Sequence, residues 1–165
     1  MESTRTKIKS FEDLLRTVAG LKTEGKTIVS TNGCYDILHP GHSAGLEWAR
    51  EQGDILIVGL NSDRSVASIK GSKRPILPQM SRAQNLAAFA AIDYVFVFDD
   101  TSPIGWVTQL RPDIHVKGTG SELAPAFAAE KQAVESGGGE MRLAPLMPGI
   151  STTDIINTIL ERYCS

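Results

Sequence analysis

The chain is short of several things that would each announce a function. Cys34 and Cys164 are its only two cysteines, too few for a disulfide framework or a cysteine-rich zinc site. No run of about 18 apolar residues exists, so no membrane-spanning helix is expected. The opening segment MESTRTKIKSFEDLL lacks the apolar core of a secretory signal. Neither sign of charge dominates: 17 Lys and Arg against 19 Asp and Glu leave a formal net charge of −2. That balance counts against a surface built to grip nucleic-acid backbone. There is no internal repeat, linker or low-complexity tract. What is present is ordinary for a globular protein, with 41% hydrophobic and 22% charged residues. A chain of 165 residues can fill one domain and not two. These features predict a single-domain protein, 1–165, in a reduced, cytoplasmic setting.

Apolar residues Phe11, Leu14, Leu15, Val18 and Leu21 recur at helical spacing over 10–22, with Ser10 as the N-cap. TIVSTNG reads as a strand, 41–52 as a helix, and ILIVGL (55–60) as a second strand without polar alternation, as in a parallel sheet covered on both faces. A short helix is predicted around 65–69, then a loop, GSKRPILPQM. SRAQNLAAFAAI (81–92) reads as a helix capped by Ser81, and YVFVF (94–98) as the third strand. IGWVTQL is a helix, DIHVKG the fourth strand, APAFAAEKQAVESGGG a helix closed by glycines, and EMRLAPL the fifth strand. STTDIINTILERY forms the last helix behind a string of capping residues. Five strands alternating with helices predict an α/β fold, a Rossmann-like parallel sheet with helices on both faces. Ligands of such sheets sit at the carboxyl ends of the strands, where strand order reverses.

Residues 20–27, GLKTEGKT, match the GxxxxGK[ST] phosphate loop letter for letter. That loop needs a strand before it and a helix after it. Here a helix precedes and a strand follows, so the segment reads as a glycine-bearing turn and not as an NTPase site.

The first strand runs into TNGCYDILHPGHSAGL. Of the chain's three histidines, two fall within four residues, His39 and His42, at a strand end where a helix begins. Helix-start amides favour an anionic ligand. Two imidazoles beside a phosphate can donate hydrogen bonds to its oxygens as charge builds in a pentacoordinate transition state. As metal ligands, a His pair at i and i+3 without a third His or Cys makes a poor zinc site, so no protein-held metal is expected. His115, inside the fourth strand, and Trp48 and Trp106 read as packing residues.

The segment TNGCYDILHPGH resembles the HxGH signature of the nucleotidyltransferase superfamily, which includes cytidylyltransferases, pantetheine-phosphate adenylyltransferase and class I tRNA synthetases. NSDRSVASIKGSKRPILP, Arg82, LRPDIHVKG and PGISTTDII narrow the likeness. Together they resemble the D-glycero-D-manno-heptose 1-phosphate adenylyltransferase family, over about Lys7 to Leu160. That activity occurs alone or as the C-terminal half of a bifunctional protein; with no sugar-kinase segment in front, the stand-alone form is expected. The resemblance implies transfer of AMP from ATP to a sugar 1-phosphate, with Mg²⁺ accompanying ATP and a homodimer as the assembly. It implies that His39 and His42 contact the triphosphate and stabilise the α-phosphate transition state, with Lys117 facing the same crevice as a third catalytic group. Thr31, Asn32, Gly33 and Gly41 would line the phosphate site, and Lys70 and Arg74 would neutralise phosphate charge. Ser151, Thr152 and Thr153 would hold the β and γ phosphates. Asn61 and Asp63 would touch nucleotide. Asp36 is a candidate for a sugar hydroxyl, a metal contact or a simple turn cap, and Arg82 for either a functional or an ordinary helix-surface residue. Where the family has a valine and a tyrosine-leucine pair after GH, this chain has Ser43-Ala44-Gly45-Leu46; after VKG it has TGSELAP. The rival within the same chemistry is a cytidylyltransferase acting on glycerol 3-phosphate or a related polyol phosphate. A non-catalytic nucleotide-binding module is the alternative of another class. No nucleic-acid or membrane partner is expected.

Overall fold

The structure is a computed structural model that describes residues 4–145 and 149–164. Its order is α1 (Phe11–Thr23), β1 (Ile28–Gly33), α2 (Pro40–Arg50), β2 (Ile55–Asn61), α3 (Asp63–Lys70), α4 (Gln79–Ala87), β3 (Tyr94–Phe98), α5 (Ile104–Leu110), β4 (Ile114–Gly118), α6 (Phe127–Ser136), β5 (Glu140–Ala144) and α7 (Thr152–Tyr163), with short 3₁₀ turns at Thr4–Lys7 and Ser121–Leu123. The sheet is parallel, in the order β3-β2-β1-β4-β5. Strand order therefore reverses between β1 and β4, where Thr31 lies opposite Val116.

Period-two alternation divides the core between the two faces of the sheet. Val29, Leu56, Val58, Leu60, Val95, Ile114 and Val116 meet Leu46 and Ala49 of α2 and Ala83, Leu86 and Ala87 of α4. Ile28, Ile57, Phe96 and Phe98 meet Leu14 and Val18 of α1, Trp106, Val107 and Leu110 of α5, and Val134 of α6. Both faces are covered, which is why the strands are nearly continuous apolar runs. β1 and β4, in the middle of this sandwich, hold the crevice at their carboxyl ends steady.

Ser10 caps α1 as expected, its hydroxyl accepting from the Asp13 amide at 3.1 Å. Ser81 caps nothing. α4 begins at Gln79 behind Pro78, because the Gln79 side chain accepts the Asp63 amide at 3.0 Å and draws the first turn into the fold. The same helix ends at Ala87, not at 92. Past Ala87 the backbone tightens, the Phe89 amide donating to the Leu86 carbonyl at 3.0 Å, and Lys7 reaches across from the N-terminal segment to donate to the carbonyls of Phe89 (3.0 Å) and Ile92 (2.7 Å). That segment also extends the sheet's β3 edge, with Ile8 bridged to Val95. β5 ends at Ala144; Leu146, expected in it, lies outside the described residues. GLKTEGKT spans the end of α1 and the turn into β1, at the amino ends of the strands. Among the described residues no helix is long and apolar enough to cross a membrane.

Candidate active site

The turn between β1 and α2 is the centre of the site. Gly33 brings the backbone close: a Cβ there would stand 2.9 Å from the Tyr35 ring. Tyr35 has φ 44°, the left-handed region that a bulky residue adopts only when its surroundings hold it. Its ring lies 5.2 Å from that of His42, and its buried phenol is pushed up to about 12, with the Thr31 hydroxyl opposing the shift. His39 is the N-cap of α2 and Pro40 its first residue, which needs no amide partner. This places Gly41 and His42 in the first turn, facing the strand ends.

His39 and His42 stack with ring centroids 3.8 Å apart, and the buried Nδ1 of each has no hydrogen-bond partner. Burial lowers the pKa of both. It drives His42 down to about 4, helped by repulsion from His39, while Asp154 on α7 pulls His39 the other way. At neutral pH both rings are therefore neutral and each can donate one hydrogen bond. A cavity of about 230 Å³ opens beside His42, lined by Thr31, Asn32, Gly33, Tyr35 and Cys34 on the turn, Gly45 and Leu46 on α2, and Val116, Gly118 and Ala144 on β4 and β5.

Two further groups come to this place from distant parts of the chain. Lys117, at the end of β4, donates to Asn32 Oδ1 at 3.2 Å and pairs with Glu130 of α6 at 2.8 Å. The start of α7 meets the histidine turn, with the Thr152 hydroxyl 3.3 Å from the Ile37 carbonyl. Ser151 is spent on capping: it accepts from the Asp154 amide at 3.1 Å and donates to the Asp154 carboxylate at 2.7 Å. Thr153 is the second residue of the helix. The helix start thus presents its amides and the Thr152 and Thr153 positions beside the paired imidazoles.

Asp36 stands differently from its expected role. Its fully buried carboxylate accepts from Arg74 Nε at 2.5 Å and from the amides of Ile76 and Leu77 at 2.8 and 2.9 Å. Burial alone would raise its pKa, but the Leu77 and Ile76 amides and the Arg74 guanidinium outweigh it and hold the carboxyl below its ordinary value. Asp36 is therefore a clamp on the loop after α3, and Arg74 is the side chain it clamps. Arg82, for which the sequence left a functional and a helix-surface role open, is 0% exposed. It donates to the carbonyls of Cys34 (2.5 Å), Asn61 (2.9 Å) and Leu77 (2.9 Å) and to Asp63 Oδ1 (2.8 Å). One guanidinium thus ties the ends of β1 and β2 to the loop, and Asp63 is its counter-charge. Asn61 is buried, donating to Ser65 Oγ at 2.9 Å. Lys70 is exposed at the end of α3. Burial raises the Cys34 thiol, while Lys70, Arg82 and Arg74 act to lower it, so three cations surround the turn. His115 is packing, as expected: fully buried, it shares a 2.7 Å hydrogen bond with Ser30 Oγ and is driven down to about 3 by burial.

Sequence reasoning passed over Tyr35, Glu130 and Asp154, and named Gly45 only within the Ser43–Leu46 departure after GH. Tyr35 and Gly45 stood inside the quoted motif, and Asp154 follows the Ser-Thr-Thr run; Glu130 left no local signal. Among the described residues no group of three His, Cys, Asp or Glu is placed to hold a metal. The carboxylates around the turn are engaged within the protein, Asp36 with Arg74, Asp63 with Arg82, Glu130 with Lys117 and Asp154 with the Ser151 hydroxyl.

Residues 30–158 match the cytidylyltransferase-like family. The bifunctional protein HldE of Syntrophotalea carbinolica is 46% identical over 158 residues, covering 96% of this chain and 32% of the relative. That of Trichlorobacter lovleyi is 45% identical over the same shares. The chain thus spans about a third of the length of these curated relatives. Among solved structures, the lipopolysaccharide core biosynthesis protein of Thermoplasma volcanium superposes with a TM-score of 0.61 at 24% identity, over 76% of this chain and 100% of that one. Pantoate-beta-alanine ligase of Francisella tularensis superposes with a TM-score of 0.64 at 14% identity, over 93% and 77%. These two likenesses concern the fold. With its family match running from the first strand into the last helix, the chain belongs to the cytidylyltransferase-like family.

Proposed function

We propose that the chain is a nucleotidyltransferase that moves AMP from ATP to a sugar 1-phosphate, D-glycero-D-manno-heptose 1-phosphate, giving the ADP-sugar and pyrophosphate. The observation that carries the reading is the pair of stacked imidazoles without partners at the β1–α2 turn, beside a cavity at the strand ends and with the start of α7 held against the same turn; Lys117 reaches Asn32 at that strand end while pairing with Glu130. An arrangement of neutral donors, one ammonium and helix-start amides suits a polyanion. The likeness to the bifunctional proteins HldE supports the sugar-phosphate acceptor that the resemblance of the HPGH, VKG and STT segments implies.

In this reading an oxygen of the acceptor phosphate attacks the α-phosphorus and the bond to the bridging oxygen of pyrophosphate breaks. The acceptor is already an anion, so no covalent enzyme intermediate and no strong base is required. The protein supplies position and charge stabilisation. His39 and His42 donate to the phosphate oxygens, Thr31, Asn32, Gly33 and Gly41 shape the backbone around them, and Lys117 brings positive charge. Ser151, Thr152 and Thr153 seat the outgoing phosphates at the α7 start, and Lys70 and Arg74 offset the remaining charge from the loop. Mg²⁺ enters as part of the substrate, bound to ATP; among the described residues no three His, Cys, Asp or Glu gather to cage an ion. A cytoplasmic site of action and a homodimer belong to the same proposal.

The test is pyrophosphate release measured over the four NTPs against several phosphorylated acceptors. The proposal expects release with ATP and the heptose 1-phosphate. Release only with CTP and glycerol 3-phosphate, or with no pair at all, overturns it.

A further inference from the structure

Among the described residues two ion pairs bury both of their side chains, Asp36–Arg74 and Lys117–Glu130. They are built differently. Asp36 also holds the backbone amides of Ile76 and Leu77, so that pair ties down a loop. Lys117 and Glu130, 15% and 9% exposed, hold no backbone group with their side chains. Among the described residues the Lys117 ammonium meets only Glu130 Oε2 at 2.8 Å and Asn32 Oδ1 at 3.2 Å, and the Glu130 carboxylate meets only Lys117. A buried ion pair is a weak source of stability, since apolar residues of similar volume often do as well or better. This one ties no segment of backbone, so its reason lies elsewhere. Strand register shows where it stands. Ser30 and His115 lie opposite one another on β1 and β4 and share a 2.7 Å hydrogen bond. Asn32 and Lys117, two residues further along, form a second side-chain rung on the same face. The first rung is sealed in the core. The second is at the strand ends, and Asn32 also lines the 230 Å³ cavity. Glu130 comes to it from the first turn of α6, where a helix start favours a carboxylate.

We propose that Glu130 is a positioning residue for nucleotidyl transfer: from α6 it fixes the Lys117 ammonium against Asn32 at the rim of the cavity. This rests on the transfer reading above, in which Lys117 brings positive charge, and adds to it the residue that holds that charge in place. An ammonium has three N–H groups; Glu130 and Asn32 take two, and one is left for a phosphate oxygen. A lysine alone is a point charge on a flexible four-carbon stem, and ordering it costs rotamer freedom. Here the ordering is done by the fold before substrate arrives, so the charge already stands where the transition state needs it. The carboxylate also sets a negative charge beside the seat of a triphosphate, which disfavours bound ATP. The two effects therefore part. Loss of Glu130 releases the ammonium and slows the chemical step, while ATP binding stays as it was or tightens. A carboxylate that merely pinned α6 to the sheet would produce no such split in a folded variant.

The test is pyrophosphate release from ATP and the heptose 1-phosphate by wild type, Glu130→Gln, Glu130→Ala, Lys117→Ala and the double variant Lys117→Ala/Glu130→Ala, with kcat counted per ATP-binding site by calorimetry. Glu130→Ala should lower kcat about tenfold with the KM for ATP no higher than in wild type. Glu130→Gln keeps an oxygen that accepts from the ammonium and should lose only about threefold. Lys117→Ala should lose at least as much as Glu130→Ala. Adding Glu130→Ala to it should cost no more than about twofold further, because the carboxylate then has no charge to hold. Thermal melts identify the folded variants; should Glu130→Ala fail to fold, Glu130→Gln alone and in the Lys117→Ala background decides. A folded Glu130 variant with wild-type kcat, or one that loses as much without Lys117 as with it, overturns the inference and leaves the transfer reading standing. So does a Lys117→Ala variant with normal kcat. A wild-type chain that releases no pyrophosphate from any NTP and acceptor overturns that reading, and this inference with it.

Discussion

Removing the Asp36 carboxylate separates two accounts of that residue. As built, its oxygens accept from Arg74 Nε and from the Ile76 and Leu77 amides, all within 2.9 Å. Asp36→Asn keeps one oxygen for the two amides but turns an NH₂ group toward the guanidinium. It therefore loses the charged hydrogen bond to Arg74, worth about 1.5–3 kcal/mol. Asp36→Ala leaves all three donors without an acceptor. Breaking a buried ion pair from one side costs about 3–5 kcal/mol. Ile76 is exposed, so the loop can turn its freed donors to water, and the lower end of that range is expected. Urea unfolding at pH 7 measures both variants, and proteolysis within residues 71–78 should accelerate in the same order. The wild-type benefit is also pH-dependent. Asp36 is held below its ordinary pKa, so its contribution is present above the ordinary carboxylate range and is lost as pH falls through and below it. Asp36→Ala should lack that acid limb. The result that refutes the reasoning is an alanine variant about as stable as wild type, with an unchanged loop and only the acceptor KM raised. Asp36 would then be a substrate ligand and not a clamp.

Other consequences concern the histidines. His42→Ala should cut the chemical step about a hundredfold or more while ATP binding is largely kept, by analogy with the loss of one oxyanion-hole donor; near-normal kcat defeats the assignment. His42 is held down to about 4 and His115 to about 3, so between the ordinary imidazole range and those values the unfolded chain binds more protons. Stability should accordingly fall as pH drops from about 6.5 toward 4, and His115→Asn should flatten part of that slope in denaturant melts. A triphosphate beside His39 and His42 favours their charged forms, so ATP binding near pH 6 should take up protons. Calorimetry in buffers of different ionisation enthalpy measures this, and zero uptake counts against imidazole contact with phosphate.

Much of the fold could be read from periodicity because each parallel strand is a short β-branched run between capping residues. YVFVF and IGWVTQL appear with the boundaries that their patterns set. The failures have tertiary causes. Ser81 looks like a cap, but Gln79 is drawn to the Asp63 amide and starts the helix earlier. The run 81–92 looks continuously helical, but the chain tightens after Ala87 and is turned toward β3, where Lys7, distant in sequence, holds the carbonyls of Phe89 and Ile92. The histidine pair, Lys117 and the Ser-Thr-Thr run stand out in the sequence because strand ends and helix starts mark them, and their roles remain the proposal made above. Arg82 and Asp36 were not, because most of their partners are backbone carbonyls and amides, which every residue possesses and no sequence pattern distinguishes.

The most direct measurement is a crystal structure of the chain with a non-hydrolysable ATP analogue. The account predicts the triphosphate between the His39–His42 pair and the start of α7, with Lys117 within reach of it. Nucleotide seated elsewhere, for instance in the groove between α5 and α6 lined by Thr108, Ala133 and Ser136, would contradict it.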